Sequence, residues 1–145
     1  MAYKQKEIEE TEQYRKKREV LDSTLFNWEL IEKIQKIEED DQKYRKAARA
    51  LDITASEVDS LWEIQLLFDS LNLLRVDTIL SNYDFPNKYK VGHDYADIVP
   101  LIIHHQSDPI IRKNYLKKIR QFISLEKVEM IERRTNSIML ENGMH

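Results

Sequence analysis

The sequence predicts an all-α protein, a single-domain bundle of five or six helices built on long central ones. Three observations carry this. Among 145 residues there are two glycines and three prolines, while Leu, Ile, Glu and Lys are abundant and Val and Thr are thin, the balance of a helical protein. Apolar residues recur at spacings of three and four along most of the chain, the helical period. Capping signatures divide the chain into helix-sized pieces: Thr54 with Glu57, Ser107-Asp108-Pro109, Ser124 and the late Gly143. The length suits one domain over 1–145, enough to bury roughly two thirds of its unfolded surface in a single core.

Taken in order, residues 3–20 carry charge nearly all round, with Ile8, Tyr14 and Val20 too sparse for a broad buried face, so 1–22 reads as a charged peripheral helix. Glu12 and Lys16 are spaced to pair across one turn. It is either a solvated helix, the commoner meaning of such a charge run, or an arm for a partner. Asp22, Ser23 and Thr24 then form a capping cluster before a long helix over 25–51. Its seam runs Ile34, Ile37, Asp41, Tyr44, Ala48, which puts Asp41 where the pattern asks for an apolar side chain. A carboxylate there needs partners, and Gln42 and Arg45 flank it, Arg45 one turn on and placed for an i,i+4 ion pair. Either this is a structural salt bridge or Asp41 is a functional acid held by an arginine.

The box at Thr54 and Glu57 opens a helix over about 55–82, apolar around much of its circumference at Val58, Leu61, Trp62, Leu66, Phe68, Leu71, Leu73, Val76, Ile79 and Leu80. This predicts a central helix. Gln65, Asp69 and Asn72 form a polar stripe on it at i, i+4 and i+7, which faces water or lines a pocket; composition favours water, since small domains expose one face of most helices. Residues 83–90, YDFPNKYK, read as a loop, because Phe85 before a proline is pushed out of helical geometry and Asn87 suits a turn. Its aromatics form a lid or staple the loop down. Gly92 suits a positive φ, Asp94 is placed to cap the next helix, and Pro100 should kink that helix and free a carbonyl. The apolar run from Ala96 to Ile103 predicts a buried segment ending in His104 and His105. Asp108 and Pro109 start a helix with Asn114, Tyr115, Leu116, Ile119, Phe122 and Ile123 inward and its lysines and arginines outward. The last helix comes after Ser124, buries Leu125, Val128, Ile131, Thr135, Ile138 and Met139, and stops at Gly143.

Function classes narrow by exclusion. A formal net charge of −3 with both signs interspersed gives no general pull toward nucleic acid or anionic membranes. The absence of cysteine removes disulfides, thiolate nucleophiles and zinc–thiolate sites. Met1 leads into a polar stretch and no apolar run approaches the ~20 residues of a membrane span, so a cytoplasmic protein is the default expectation. There is no H-E-x-x-H, and adjacent histidines on one helix point about 100° apart, so no metal is expected. No glycine-rich nucleotide loop or G-x-S-x-G is present, and no cofactor is expected. His, Asp, Gln, Asn and Arg in a bundle suit general acid–base catalysis or recognition of a small polar ligand. For each histidine the plain alternative is a cation favoured at a helix C-terminus by the macrodipole.

Four stretches occur together in one order: DQKYR at 41–45, DSLNLLRVDTIL at 69–80, YDFPNKYKVG at 83–92 and LIIHHQSDP at 101–109. In this the chain resembles an uncharacterised, mainly bacterial family, domain of unknown function 6624, whose pattern runs D-Q-x-x-R, D-x-x-N, G-W-P, Q-H, D-R and Y-G-T-Q. The likeness spans about residues 30–143. It implies that Asp41, Gln42, Arg45, Asp69, Asn72 and the histidine pair share one polar site, without naming a reaction. The departures are Phe85-Pro86 in place of Trp-Pro, Asn136-Ser137 in place of Asp-Arg, and no counterpart of Y-G-T-Q. If those elements are needed for turnover, this member binds without reacting.

The resulting expectation is an internal polar pocket and a metal-independent hydrolase or lyase for a small polar substrate. His104 or His105 would serve as general base, with Asp41 orienting it, Arg45 holding an anionic group, and Gln42, Asp69 and Asn72 completing the binding set. The competing expectation is a non-catalytic ligand-binding or protein-interaction module that works through the charged first helix and the 83–90 loop.

Overall fold

The computed structural model describes residues 18–50 and 52–144. Most of the expected first helix, with Ile8, Tyr14 and the Glu12–Lys16 pair, lies outside the described residues. Among these the chain is an all-α, single-domain bundle with no strand. The helices are α1 (Trp28–Ala48), α2 (Ala55–Asn82), α3 (Lys88–Val91), α4 (His93–Ala96), α5 (Ile98–His104), α6 (Pro109–Ile119) and α7 (Leu125–Glu141), with single 3₁₀ turns at Ser23–Leu25 and Arg120–Phe122.

Local chemistry sets the boundaries. Asp22 caps the short turn at Ser23, so α1 starts later than expected, where the Asn27 side chain accepts from the Leu30 N–H at 3.0 Å. Thr54 Oγ1 accepts from the Glu57 N–H at 3.2 Å. Asp108 accepts from the Ile110 N–H at 2.8 Å with Pro109 in the first turn, and Ser124 caps α7. The expected loop at 83–90 contains a helical turn, because Asn87 accepts from the N–H groups of Tyr89 and Lys90 and starts α3. Gly92 then takes φ +86°, and a Cβ there would sit 3.4 Å from the Phe26 ring. Asp94 does not cap the next helix; it lies inside the first turn of α4, whose cap is Gly92. Pro100 does not kink one long helix. The chain breaks at Asp97 into α4 and α5, which brings Pro100 into the first turn of α5, where a missing N–H costs nothing.

The apolar core joins the first half of α1 to the last third of α2 and to α3, α5, α6 and α7, through Leu30, Ile34, Ile37, Val76, Ile79, Val91, Val99, Ile102, Ile103, Ile119 and Ile131. At about 1.5–3 kcal/mol for each fully buried aliphatic side chain, this cluster supplies the driving force of the fold. Phe85 stacks on Phe122 at 5.0 Å between ring centres, so this aromatic of the 83–90 segment fastens it down.

Two expectations about α2 are overturned. It is peripheral, with only Gln65, Asp69, Asn72, Val76 and Ile79 buried. Its polar stripe therefore faces inward, while Leu66, Leu67, Leu71 and Leu74 are exposed. The stripe is inward because α1 presents the Arg45 guanidinium, the Arg45 N–H and the Ile37 carbonyl opposite it, and polar groups facing each other can pair where leucines could not. In α6 Arg112 is buried rather than outward, and in α7 Leu125 is 71% exposed although Val128, Ile131, Thr135 and Ile138 are buried as expected.

Candidate functional site

The second half of α1 and first half of α2 meet through side-chain hydrogen bonds. Arg45 donates from Nη2 to Asp69 Oδ2 at 2.8 Å, and both side chains are under a tenth exposed. Gln65 bridges the helices, its Oε1 accepting from the Arg45 backbone N–H at 3.1 Å while its amide donates to Asp69 Oδ1 at 2.9 Å. Asn72 donates to the Ile37 carbonyl at 3.2 Å and accepts from Arg75 at 2.9 Å. Arg75 also holds buried Asp40 at 2.6 Å, with Lys36 at 3.2 Å. Burial alone would raise the Asp40 carboxyl, but Arg75 and Lys36 keep it below the usual carboxylate value. For Asp69 burial wins and pushes its carboxyl up, against the pull of Gln65 and Arg45.

The i,i+4 pair between Asp41 and Arg45 does not form. Asp41 reaches instead across 64 residues of sequence, where His105 Nδ1 lies 2.8 Å from its Oδ1, while the Gln42 amide donates to its Oδ2 at 2.7 Å. The Asp41 side chain is 1% exposed and that of His105 20%. An ionised carboxylate only accepts, so Nδ1 carries the proton and the lone pair of neutral His105 sits on Nε2, at the ring edge turned away from buried Asp41. Among the described residues nothing hydrogen-bonds that nitrogen. Asp69 feels the charges of Arg45, Asp41 and His105 together, and Gln106 donates to the Asp69 carbonyl at 3.1 Å. Asp41, Gln42 and His105 thus form one hydrogen-bonded group and Arg45, Gln65 and Asp69 a second beside it, while Asn72 belongs to a third with Arg75 and Asp40.

His104 belongs to a different cluster. Arg112, 1% exposed, donates from Nε to Thr135 Oγ1 at 2.8 Å, to the carbonyls of His104, Gln106 (3.0 Å) and Ile131 (3.2 Å), and to His104 Nδ1 at 3.3 Å. Facing a guanidinium, His104 Nδ1 is an acceptor, and its proton when neutral is on Nε2. Burial pushes this imidazole below its ordinary value, and the positive Arg112 adds to the effect. Burial also lowers Arg112, to about 10, so it stays charged at neutral pH. The two adjacent histidines therefore have opposite environments: one backed by a carboxylate, the other by a cation.

No protein-family model matches the chain, and no match was found among curated proteins or solved structures.

The network is not enclosed by one internal pocket. A surface cleft of about 570 Å³ next to it is lined by Lys36, Glu38, Glu39, Asp40, Gln42, Lys43, Lys46 and Leu101, three lysines against three carboxylates, but not by Asp41, Arg45 or either histidine. Arg45 stands over the Trp62 ring at 5.9 Å and is held by Asp69; its Nη1 is buried with no partner. It is committed to the fold more than to an anionic ligand. Among the described residues no group of three or more His, Asp or Glu side chains converges as a metal site would require, and no helix is long and apolar enough to cross a membrane.

Reading the sequence missed Arg112, Gln106 and the inward role of Gln65. A signal existed for two of them. Pro109, Arg112, Leu116 and Ile119 fall at spacings of three and four, which puts Arg112 on the buried face, and Gln65 starts the series 65, 69, 72, 76, 79 that ends in Val76 and Ile79.

Proposed function

We propose that this domain is a metal-independent hydrolase or lyase for a small polar substrate, with His105 as general base and Asp41 as the residue that orients it. The observation that carries this reading is the Asp41–His105 contact of 2.8 Å, with a buried carboxylate behind a partly exposed ring. Such a pair fixes the imidazole tautomer, points Nε2 at whatever occupies the surface, and stabilises the imidazolium once a proton is taken. No cysteine is present and no hydroxyl contacts the ring among the described residues, so the proton would come from water, for hydrolysis, or from a substrate carbon, for elimination. His104, which accepts from Arg112, holds α5 to α6 in this scheme and takes no part in proton transfer. Gln42 and the mixed-charge cleft lined by Lys36, Lys43 and Lys46 with Glu38, Glu39 and Asp40 would recognise the polar part of the substrate. The likeness of the 41–45, 69–80 and 101–109 stretches to one uncharacterised family supports a shared polar site.

A second reading, a binding module without turnover, draws on one observation: Arg45 and Asp69 are spent on each other, which removes the anchor for an anionic group. A panel of chromogenic carboxylic esters, phosphoric esters and glycosides, assayed with and without a chelator, separates the two. Turnover that survives chelation, disappears in His105→Ala and Asp41→Asn and persists in His104→Asn supports the enzyme. Turnover equal in His105→Ala and wild type overturns it.

A further inference from the structure

Helix α2 is amphipathic in the wrong sense for a monomer. Its buried side carries Gln65, Asp69 and Asn72, and the opposite side carries Ile64, Leu67, Leu71 and Leu74, which are 37, 72, 40 and 64% exposed. Those four recur at 3, 4 and 3 residues, the seam of a helix that packs on another helix. At ordinary side-chain areas they expose roughly 400 Å² of contiguous apolar surface, the size of patch that marks an interaction site. That is about half of the ~800 Å² each partner contributes to a stable interface, and the rest can come from the rim of Ser60, Glu63, Ser70 and Thr78.

From this we infer that the domain is a homodimer in which α2 packs antiparallel on α2 of a second copy. The spacing is a palindrome: a two-fold axis between Leu67 and Leu71 sets Leu67 against Leu71 of the second copy and Ile64 against its Leu74, so every layer is apolar. A residue beside such an axis meets its own copy, and the residues there, Phe68 and Ser70, are uncharged. An antiparallel arrangement also keeps the acidic start of α2, with Glu57, Asp59 and Glu63, away from its own copy, whereas a parallel one would stack acid on acid. Other occupants fit less well. Residues 55–74 contain no lysine or arginine, unlike a helix that lies on anionic lipid, and the sequence of residues 1–17 is mostly charged and polar, with too few apolar side chains to cover four aliphatic ones.

The test is the solution mass of the full chain by sedimentation equilibrium up to roughly 100 μM, where a Kd near 10 μM still gives mostly dimer. We expect a mass of two chains for wild type, and a single-chain mass with unchanged helicity for Leu67→Glu, because the substitution enters a two-fold interface twice and should weaken it roughly 100-fold or more. Leu140→Glu, an exposed leucine on α7, should leave the dimer intact. As the chain has no other cysteine, an oxidised equimolar mixture of L67C and L71C should give the crossed disulfide dimer, while L67C alone should stay uncrosslinked. A single-chain mass for wild type throughout, a dimer indifferent to Leu67→Glu, or self-crosslinking of L67C would each overturn the inference.

Discussion

Replacing Arg112 by Met tests how the histidine corner is held. Methionine keeps most of the aliphatic stem and removes the guanidinium, which is 1% exposed and donates to Thr135, to the His104 ring and to the carbonyls of His104, Gln106 and Ile131. A buried cation swapped together with its partner for apolar residues is often neutral. Here the partners are mostly backbone carbonyls, which no substitution removes, and those at the end of α5 have no helical donor. Each buried acceptor left unpaired costs about 1–3 kcal/mol. Against this stands the relief of no longer desolvating a guanidinium, several kcal/mol. Thr135 and the Ile131 carbonyl keep each other, so three neutral acceptors are orphaned, roughly 3–9 kcal/mol together; less that relief the balance is a loss of about 1–4 kcal/mol, and at roughly 2–4 °C per kcal/mol for a domain of this size the melting temperature should fall by about 4 °C or more. Circular dichroism melts and urea titration at neutral pH measure it, with Arg112→Lys expected between wild type and Met. A melting temperature for Arg112→Met within about 2 °C of wild type would refute the reasoning, because the carbonyls would then have other partners.

Other substitutions probe the remaining contacts. Asp69→Leu should destabilise by about 3–5 kcal/mol, since Arg45 is left as an uncompensated buried charge, and adding Arg45→Met should restore much of the loss in a double-mutant cycle by urea titration. Gly92→Ala should cost about 1 kcal/mol or more, because φ is +86°, a conformation that a side chain strains; a thermal melt at or above wild type would contradict that. The lowered value of His104 makes stability depend on pH: the unfolded chain takes up its proton at higher pH than the folded one, so this contribution is complete above the unfolded value near 6.5 and is lost as pH falls through it. His104→Asn, which keeps an acceptor for Arg112, should flatten the fall in melting temperature between pH 7 and pH 5.5, and an equally steep fall in the variant would assign it elsewhere.

Helix limits at Thr54, Asp108–Pro109, Ser124 and Gly143 were legible because capping is local: the residue that stops or starts the helix and the group it satisfies are within four positions. Asp41 was legible as an inward carboxylate for the same reason, since its neighbours Ile34, Ile37 and Ala48 define the buried side. Its partner was not. Arg45 is one turn away and His105 is 64 residues away, and only the packing of α5 across α1 makes the distant group the nearer one. The inside of α2 was misread because two faces of it obey the helical period. Leucines at 67, 71 and 74 and polar groups at 65, 69 and 72 are equally regular, and burial is decided by what α1 offers opposite them. Arg112 was passed over because arginine is usually outside, although its place between Pro109 and Leu116 marked the inner face. Pro100 was read as an interior residue of one long helix; the break at Asp97, which made it an N-terminal residue, left no sign in the spacing.

The site rests on a claim about two protons: His105 holds its own on Nδ1, toward Asp41, and His104 holds its own on Nε2, away from the Arg112 guanidinium. Long-range ¹H–¹⁵N spectra of the imidazoles, recorded on the alkaline side of their titrations and assigned with His104→Asn and His105→Ala, read the tautomers directly. We expect opposite tautomers for the two neighbours, and loss of the Nδ1–H preference of His105 in Asp41→Asn. The same Nε2–H tautomer in both rings, with His105 indifferent to Asp41→Asn, would contradict the pairing and with it the general base.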